Sequence, residues 1–310
     1  APAPAPADPP RGRAAPAVLV LAALLAAGGG SGALALLAEV GAERRVEIIA
    51  HRGAAASRPE NTLAAVEKAL ADGADQVEID VQETADGVVV VAHDSDFMKA
   101  AGEPLKVWNA TMDDLARIDV GGWFDPAYAG ERTPTLRQVL TAARGRGRVL
   151  IELKYYGHDV ALESRVARVV EETGMADRVA VMSLKIPGLR KMQALRPDWT
   201  HGILAAAALG DLSALEADFL AVNAGQAGAG LVRRVHARGR KLYVWTVDDP
   251  ATMVRMISMG VDGIITNDPA LARRVMEARN ALTTPERLLL WLADRLRPES
   301  FDLVAEARDA

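Results

Sequence analysis

Short apolar runs alternate with amphipathic stretches along most of the chain. Strand-like runs lie at 46–50, 76–81, 88–92, 148–153, 179–182, 201–204, 219–222, 241–246 and 262–266. Between most of them, apolar residues recur at the helical spacing, over 62–71, 136–143, 160–172, 187–195, 229–238, 250–259 and 269–279. This alternation predicts a parallel sheet whose strands are joined by helical crossovers.

One of these runs does not fit a parallel sheet. The runs at 76–81 and 88–92 are joined through Asp86-Gly87, a dipeptide typical of β-hairpin turns. A hairpin joins antiparallel strands, so the run at 88–92 is set aside and eight parallel strands remain. We therefore expect an α/β protein with a TIM (β/α)8 barrel over 46–280, in preference to a doubly wound sheet.

The same hairpin makes a prediction about register. If its turn contains only Asp86 and Gly87, His93 lies opposite Asp80. A turn that is one residue longer shifts the pairing by one position. The pattern therefore predicts that His93 and Asp80 are neighbours, without fixing which residues pair.

The stretch 94–135 interrupts the alternation after the second barrel strand. It carries four large aromatic residues: Trp108, Trp123, Phe124 and Tyr128. Loops this long are uncommon in compact domains and are usually functional, and the loops that follow barrel strands form the active face. We expect 94–135 to be a cap inserted over the active site, with a decoration of the barrel as the alternative.

The amino-terminal part has no place in the barrel. Residues 1–13 form an Ala/Pro-rich run that we expect to be a disordered linker. Residues 14–38 carry no charge, and about 20 apolar residues are enough to span a bilayer as a helix. We expect a transmembrane helix at 14–40. A signal-peptide segment or a flexible apolar hinge is the alternative, because several glycines weaken its middle.

Charges around this segment predict its orientation. Arg11 and Arg13 precede it, whereas the charges at 39–45 nearly cancel. By the positive-inside rule, the barrel is expected at the cell membrane on its extracytoplasmic side. After the barrel, residues 281–310 are expected to form a C-terminal helical extension.

Composition narrows the range of functions. The chain has 310 residues, a formal net charge of −5 and no cysteine. Without a block of Lys and Arg it lacks the basic surface on which nucleic-acid binding depends, so we expect no nucleic-acid partner. The lack of cysteine excludes disulfides, thiolate metal ligands and a cysteine nucleophile.

Carboxylates stand at the ends of strands that should be apolar. Glu78 and Asp80 are two positions apart and share one face of the second barrel strand, and Glu152 ends the third. Three carboxylates meeting at one barrel mouth repel one another unless a cation lies between them. Oxygen ligands favour Mg²⁺ or Ca²⁺, with Mn²⁺ also compatible, over Zn²⁺. Alternatively, each carboxylate pairs with Arg52, with Lys154 or with a lysine elsewhere in the chain.

Two histidines and two cations fall at the same strand ends. His51 and Arg52 follow the first strand, His93 ends the hairpin, and Lys154 follows the third barrel strand. Imidazole exchanges protons near neutral pH, and guanidinium and ammonium groups bind phosphate oxygens. With a metal, these groups are typical of phosphoryl-transfer chemistry. We interpret the other histidines as structural: His158, His201 and His236.

Three further residues lie near these strand ends. Glu60 and Asn61 open the first helix, where they either support its first turn or hydrogen-bond to the histidines or a metal-bound water. Trp245 ends a strand and either packs inside the barrel or forms a wall of the substrate site.

Taken together, the motifs resemble one enzyme family. The pattern consists of 51–53 (HRG), 59–62 (PENT), 78–80 (EID), 93–94 (HD), 152–154 (ELK), 244–246 (VWT) and 262–267 (DGIITN). It is similar to that of glycerophosphodiester phosphodiesterases over roughly 46–280. The preceding apolar segment resembles bacterial members that are attached to a membrane domain.

The resemblance implies a capped TIM barrel that hydrolyses glycerophosphodiesters to sn-glycerol 3-phosphate and an alcohol with one divalent cation. It implies Glu78, Asp80 and Glu152 as metal ligands and His51 and His93 as general acid and base. It places Arg52 and Lys154 at the phosphate and Trp245 beside the glycerol group.

Several points stay open. Either histidine could be the acid, and the attacking group is either water or the glycerol 2-hydroxyl, which would give a cyclic phosphate. A phospholipase D-like lipid phosphodiesterase on the same barrel is one alternative function. A membrane-tethered binding module without activity is another.

Overall fold

The computed structural model describes residues 45–206 and 211–295. The strands in these residues are β1 (Glu47–Ala50), β2 (Gln76–Glu83), β3 (Val89–Val91), β4 (Asp96–Phe97), β5 (Glu103–Lys106), β6 (Arg148–Leu153), β7 (Val179–Ser183), β8 (Thr200–Ala205), β9 (Phe219–Asn223), β10 (Lys241–Trp245) and β11 (Gly263–Thr266). Strands β2 and β6 to β11 are parallel neighbours in that order, and β1 pairs with both β11 and β2. The eight parallel strands of the described chain therefore close into the predicted barrel.

Helices occupy the connections between barrel strands. They are α1 (Leu63–Ala71), α2 (Met98–Ala101), α3 (Met112–Leu115), α4 (Leu136–Ala143), α5 (Leu162–Glu172), α6 (Ile186–Leu195), α7 (Ala229–His236), α8 (Pro250–Met259), α9 (Pro269–Asn280) and α10 (Thr284–Arg295). Local chemistry sets several starts: Thr62 and Thr135 accept hydrogen bonds from the first turns of α1 and α4. Every predicted crossover helix is present within two residues at each end.

Alternate strand residues build two layers of core. Ile49, Leu150 and Phe219 face the inside of the barrel. Their strand neighbours Ile48 and Val149 face outward and pack in the layer between strands and helices. The alternation explains why a polar residue at an inward position near a strand end projects into the barrel mouth.

The β2–β3 hairpin is present, and its turn is one residue longer than Asp86-Gly87. Val81 lies opposite Val91, and the Thr84 N–H donates to the Val88 carbonyl at 3.0 Å. The loop therefore contains the three residues 85–87, with Gly87 at a φ of 80°. A three-residue hairpin loop that ends in a left-handed glycine is a common solution, and Gly87 permits it because it has no Cβ.

The longer loop shifts the register by one residue. Asp80 lies opposite Ala92, whose N–H donates to the Asp80 carbonyl at 3.0 Å. His93 is the next residue along, so it lies near Asp80 without pairing with it. The predicted neighbourhood of His93 and Asp80 is thus present, with the register that the longer loop sets.

Residues 94–135 leave the barrel after this hairpin and form a small subdomain. It contains the β4–β5 ribbon, α2, α3 and short 3₁₀ helices. Its apolar cluster includes Phe97, Val107 and Leu115, and it packs against Val90 of β3. The subdomain contributes Lys99 to residues at the barrel mouth, as described below.

The predicted linker at 1–13 and transmembrane helix at 14–40 lie outside the described residues. Within the described ranges, no helix combines the length and the apolar character needed to cross a bilayer. Residues Arg45–Met276, which contain the barrel, form one compact unit. Helix α10 falls within the predicted C-terminal extension.

Gly53, between β1 and α1, is expected to tolerate no side chain. Its φ is 84°, and a Cβ there would lie 2.6 Å from the Ala65 carbonyl carbon. Gly53→Ala should lower the free energy of unfolding by about 2–3 kcal/mol, measured by denaturant titration, because left-handed strain adds to a backbone clash. Gly102→Ala is the control: φ is 67° with nothing within 4 Å, so about 1 kcal/mol is expected. Equal losses would contradict the steric argument.

Candidate active site

Three carboxylates converge inside the barrel mouth. Glu78 and Asp80 on β2 and Glu152 on β6 share the inward face, and the strand register sets Asp80 beside Glu152. Their exposed fractions are only 1%, 1% and 6%. One oxygen from each carboxylate lies within 4.8 Å of the others. The structure thus brings together the acidic triad that the sequence predicts.

The negative charge of two of these carboxylates is poorly compensated. Burial, followed by the charges of Asp80 and Glu152, raises the pKa of Glu78 well above its usual value. Its strongest opposing contact is the Arg52 backbone N–H, which donates to Glu78 Oε2 at 2.9 Å. Burial and the charge of Asp80 raise the pKa of Glu152 to about 7.

Arg52 and Lys154 lie among the carboxylates. Arg52 Nε is 3.4 Å from Asp80 Oδ2, and Lys154 Nζ is 3.5 Å from Asp80 Oδ1 and 3.1 Å from Glu152 Oε1. Burial alone would raise the pKa of Asp80, but Lys154, His93 and Arg52 outweigh it and lower this pKa. Ion pairing therefore compensates the negative charge of Asp80 and part of the negative charge of Glu152.

The residues present fit a divalent cation. Within the described residues, Glu78 forms no ion pair through its side chain, so pairing with Arg52 and Lys154 does not neutralise the whole triad. The candidate ligands are all carboxylate oxygens, which suit Mg²⁺, Ca²⁺ or Mn²⁺. A cation held between them would relieve the repulsion that raises the pKa of Glu78 and Glu152.

This arrangement makes cation affinity depend on pH. A cation must displace protons from Glu78 and Glu152, whose pKa values are raised in its absence. Affinity for Mg²⁺ or Ca²⁺ is therefore expected to rise from pH 6 to pH 8, by up to about tenfold per pH unit below pH 7 for each proton released. Calorimetric titration in buffers of different ionisation enthalpy measures both affinity and released protons. Affinity that is constant over this range would contradict the prediction.

His51 follows β1 and is oriented by Asn267. His51 Nδ1 lies 2.8 Å from Asn267 Oδ1, and Asn267 Nδ2 donates to Asp248 Oδ2 at 2.6 Å. The carboxamide oxygen therefore faces the ring, so Nδ1 donates and Nε2 carries the lone pair. Burial and the charge of Arg52 lower the pKa of His51, so the neutral ring is favoured at pH 7.

His93 lies at the end of the hairpin, on a backbone that side chains hold in place. Its Nδ1 is 2.7 Å from Asp94 Oδ1. Gln82 Nε2 donates to the carbonyls of Ala92 at 2.8 Å and Asp94 at 2.7 Å, and the Tyr156 hydroxyl donates to the His93 carbonyl at 2.7 Å. The contact between Nδ1 and Asp94 orients the ring and leaves Nε2 available for proton transfer.

Glu60 and Asn61 hydrogen-bond to other site residues and, among the described residues, form no hydrogen bond with His51 or His93. Glu60 Oε1 accepts from Arg52 Nη1 and from Lys99 Nζ of α2, both at 3.0 Å. Asn61 Nδ2 donates to Asp80 Oδ2 at 2.9 Å. Arg52 and Asn61 have φ values of 53° and 58°, left-handed conformations that asparagine accepts more readily than arginine. Such strain at a non-glycine residue is typical of functional sites.

Trp245 ends β10 at the barrel mouth. Its indole N–H donates to the Ala221 carbonyl at 3.2 Å, and its ring packs against the interior cluster while remaining half-buried. The structure therefore shows the packing role, and the exposed part of the ring leaves the substrate role as a prediction. Of the three histidines interpreted as structural, His158 stacks on Trp108, His201 is buried on β8, and His236 lies 2.8 Å from Asp262.

The sequence predicts no role for five residues that position the histidines, namely Gln82, Asp94, Tyr156, Asp248 and Asn267. Two of them carry a signal, since Asp94 ends the 93–94 motif and Asn267 ends the 262–267 motif. The motifs alone do not indicate that these two residues orient the histidines.

The sequence is similar to those of known phosphodiesterases. The model of the glycerophosphoryl diester phosphodiesterase family matches residues 51–271. A glycerophosphodiester phosphodiesterase of Caldanaerobacter subterraneus subsp. tengcongensis is 34% identical over 232 residues, covering 72% of this chain and 94% of the relative. One from Bacillus subtilis is 30% identical over 253 residues, covering 74% and 86%.

Solved structures share the fold. A glycerophosphodiester phosphodiesterase from Agrobacterium tumefaciens is 29% identical, with a TM-score of 0.66 over 74% of this chain and 100% of the other. A phosphodiesterase from Oleispira antarctica, in complex with the product sn-glycerol-3-phosphate, is 24% identical, with a TM-score of 0.68 over 74% and 96%. By the family match and these relatives, the chain belongs to the glycerophosphoryl diester phosphodiesterase family and is an enzyme of the phosphoric diester hydrolase class.

Proposed function

We propose that this enzyme hydrolyses glycerophosphodiesters to sn-glycerol 3-phosphate and an alcohol, with one divalent cation held by Glu78, Asp80 and Glu152. The observation that carries the proposal is this buried triad, whose candidate ligand atoms lie within 4.8 Å of one another. Arg52 and Lys154 pair with its carboxylates, and the charges of His51 and His93 interact with that of Asp80. The product found in the Oleispira protein of the same fold supports the same product class here.

The cation is Mg²⁺ or Ca²⁺ in this proposal, with Mn²⁺ also compatible. When bound, it supplies positive charge to the phosphodiester and to the charge that develops in the transition state. The remaining chemistry comes from side chains of this chain.

Arg52 and Lys154 bind the phosphate in this scheme. A guanidinium can contact two phosphate oxygens at once, and an ammonium acts as a point charge. Arg52 Nε lies 3.4 Å from Asp80 Oδ2 and Nη1 lies 3.0 Å from Glu60 Oε1, so the guanidinium is held beside the triad, where the phosphate would bind. Trp245 would line the glycerol side of the site with its half-buried ring.

His51 and His93 move the protons. His51 Nε2, which carries the lone pair, takes the proton of the attacking hydroxyl as the new P–O bond forms. The P–O bond to the alcohol breaks, and His93 Nε2 donates its proton to the departing oxygen. If the attacker is the glycerol 2-hydroxyl, water opens the cyclic phosphate afterwards with the two roles exchanged. The lowered pKa of His51 and the Asp94 contact of His93 support this assignment.

A headgroup panel tests the proposal. The purified chain is incubated with glycerophosphocholine, glycerophosphoethanolamine, glycerophosphoinositol and lysophosphatidylcholine, and sn-glycerol 3-phosphate is assayed enzymatically with EDTA or with added Mg²⁺ or Ca²⁺. Release from a water-soluble diester only when a cation is present supports it. Production of lysophosphatidic acid instead would favour the phospholipase D-like alternative, and no turnover of any substrate would favour the binding module.

We also propose that residues 14–40 attach the enzyme to the cell membrane with the barrel on the extracytoplasmic side. The uncharged stretch and the preceding Arg11 and Arg13 support this orientation. Protease added to intact spheroplasts should digest the barrel and leave a cytosolic marker untouched. A barrel that becomes accessible only after lysis would contradict the orientation.

A further inference from the structure

We propose that Asp248 and Asn267 are positioning residues that select the tautomer of His51 and so keep its Nε2 free to accept a proton. The inference deepens the proposed function and rests on it for its kinetic consequence. The structural part concerns only the direction of hydrogen bonds and can be measured without any substrate.

Three hydrogen-bond donors converge on the carboxylate of Asp248. Asp248 follows β10, and Asn267 follows the neighbouring strand β11. Asp248 Oδ1 accepts from Thr266 Oγ1 at 3.0 Å and from the Asn267 N–H at 2.7 Å, and its Oδ2 accepts from Asn267 Nδ2 at 2.6 Å. A carboxylate only accepts, so it must face the amino side of the Asn267 carboxamide.

The orientation of the Asn267 carboxamide determines which ring nitrogen of His51 carries the proton. With its amino group on Asp248, Asn267 presents Oδ1 to His51 Nδ1 at 2.8 Å. An amide oxygen only accepts, so Nδ1 must carry the proton of the neutral ring. Each group thus sets the polarity of the next, from Asp248 through Asn267 to His51.

The backbone fixes the distance between His51 and Asn267. His51 N–H donates to the Thr266 carbonyl at 2.8 Å, continuing the β1–β11 ladder in which Ala50 lies opposite Thr266. His51 and Asn267 are therefore held by the same strand ends. The ring can change its proton position only if the carboxamide turns over.

Asp248→Asn is the direct test. The new carboxamide can still accept from Thr266 and the Asn267 N–H, but it now presents an amino group to Asn267 Nδ2. The Asn267 carboxamide is expected to turn over, direct its amino group at His51 Nδ1 and move the ring proton to Nε2. We expect kcat to fall about 10²–10³-fold with KM and cation affinity changed by no more than about twofold. Asp248 is exposed, so the change leaves the core intact.

A double variant should restore the original proton position on His51 by exchanging the carboxylate and the carboxamide. In Asp248→Asn/Asn267→Asp, the new carboxamide donates to the new carboxylate, which accepts from His51 Nδ1. Every polar atom again has a matching partner, and kcat should recover to within about tenfold of the original. Asp249→Asn is the matched control. Asp249 is also exposed, and its contact is the Thr252 N–H of α8 at 2.8 Å, a helix cap that asparagine preserves.

Nitrogen-15 NMR at pH 8 reads the tautomer directly. The chain has five histidines, and the signals that vanish in His51→Gln assign the ring. The original enzyme and the double variant should show an unprotonated Nε2, and Asp248→Asn should show an unprotonated Nδ1. An unchanged pattern in Asp248→Asn, or a double variant no more active than that single variant, overturns the inference. If the original protein has no phosphodiesterase activity but Asp248→Asn still moves the ring proton of His51 from Nδ1 to Nε2, the proposed function is refuted and the structural inference stands.

Discussion

Replacing His51 or His93 with alanine is expected to lower kcat for release of sn-glycerol 3-phosphate by about 10³–10⁴-fold, because each removes a group that transfers a proton in the transition state. Cation affinity should change by no more than about twofold. The rings bond through Nδ1 to Asn267 at 2.8 Å and Asp94 at 2.7 Å, and not to the acidic triad. Steady-state kinetics and calorimetric titration of the same samples measure both quantities.

A substrate with a better leaving group separates the two roles. A glycerophosphodiester of p-nitrophenol releases a phenolate that needs no proton, so His93→Ala should recover most of its activity on it. His51→Ala should not, since the attacking hydroxyl still has to lose its proton. His236→Ala serves as the control, because that ring is held at 2.8 Å by Asp262, which directly precedes the start of β11, whereas the site residues lie at the carboxyl ends of strands. Equal recovery by both variants would refute the assignment of base and acid.

Much of the barrel follows from the order of residues along each strand. In β2, Val77, Ile79 and Val81 belong to the layer that packs against helices, while Glu78 and Asp80 between them face inward. Period-two alternation and the parallel topology place those carboxylates at one mouth without any knowledge of the helices. Convergence of the triad is therefore a consequence that the sequence alone predicts.

The hairpin shows where such reasoning fails. Asp86-Gly87 fits a two-residue turn, yet the loop runs over 85–87 and the pairing shifts by one residue. The Thr84 hydroxyl accepts from the Val88 N–H at 3.0 Å, which stabilises the longer loop. Competing turn types differ by small free energies, and side-chain contacts of this kind decide between them.

The groups that orient the histidines were beyond prediction for a different reason. His51 and Asn267 are 216 positions apart, and no local period links a residue after β1 to one after β11. Their contact depends on closure of the barrel, which makes β1 and β11 neighbours. Gln82 is similar, since its role depends on the three backbone carbonyls that the hairpin brings to it.

Removing the cation is expected to abolish activity. Dialysis against EDTA should reduce release of sn-glycerol 3-phosphate at least about 100-fold, and added Mg²⁺ or Ca²⁺ should restore it. Glu78→Gln should lower cation affinity and kcat by at least about 100-fold each, because it removes one of three carboxylate ligands. Calorimetric titration and the same kinetic assay measure these losses. Full activity after exhaustive chelation would refute the metal-assisted scheme.

Glu78→Gln should at the same time stabilise the cation-free protein. Burial raises the pKa of Glu78 in the folded state, so its ionisation opposes folding once the pH exceeds the unfolded pKa of about 4.3, and the cost grows with pH. The melting temperature without cation should therefore rise by about 2–4 °C at pH 8 and by less at pH 5. Glu172→Gln is the matched control, because Glu172 is exposed and paired with Arg137. In this variant neither the activity nor the melting temperature should change. A Glu78→Gln variant that loses both activity and stability would indicate a structural role for Glu78 in place of a cation ligand.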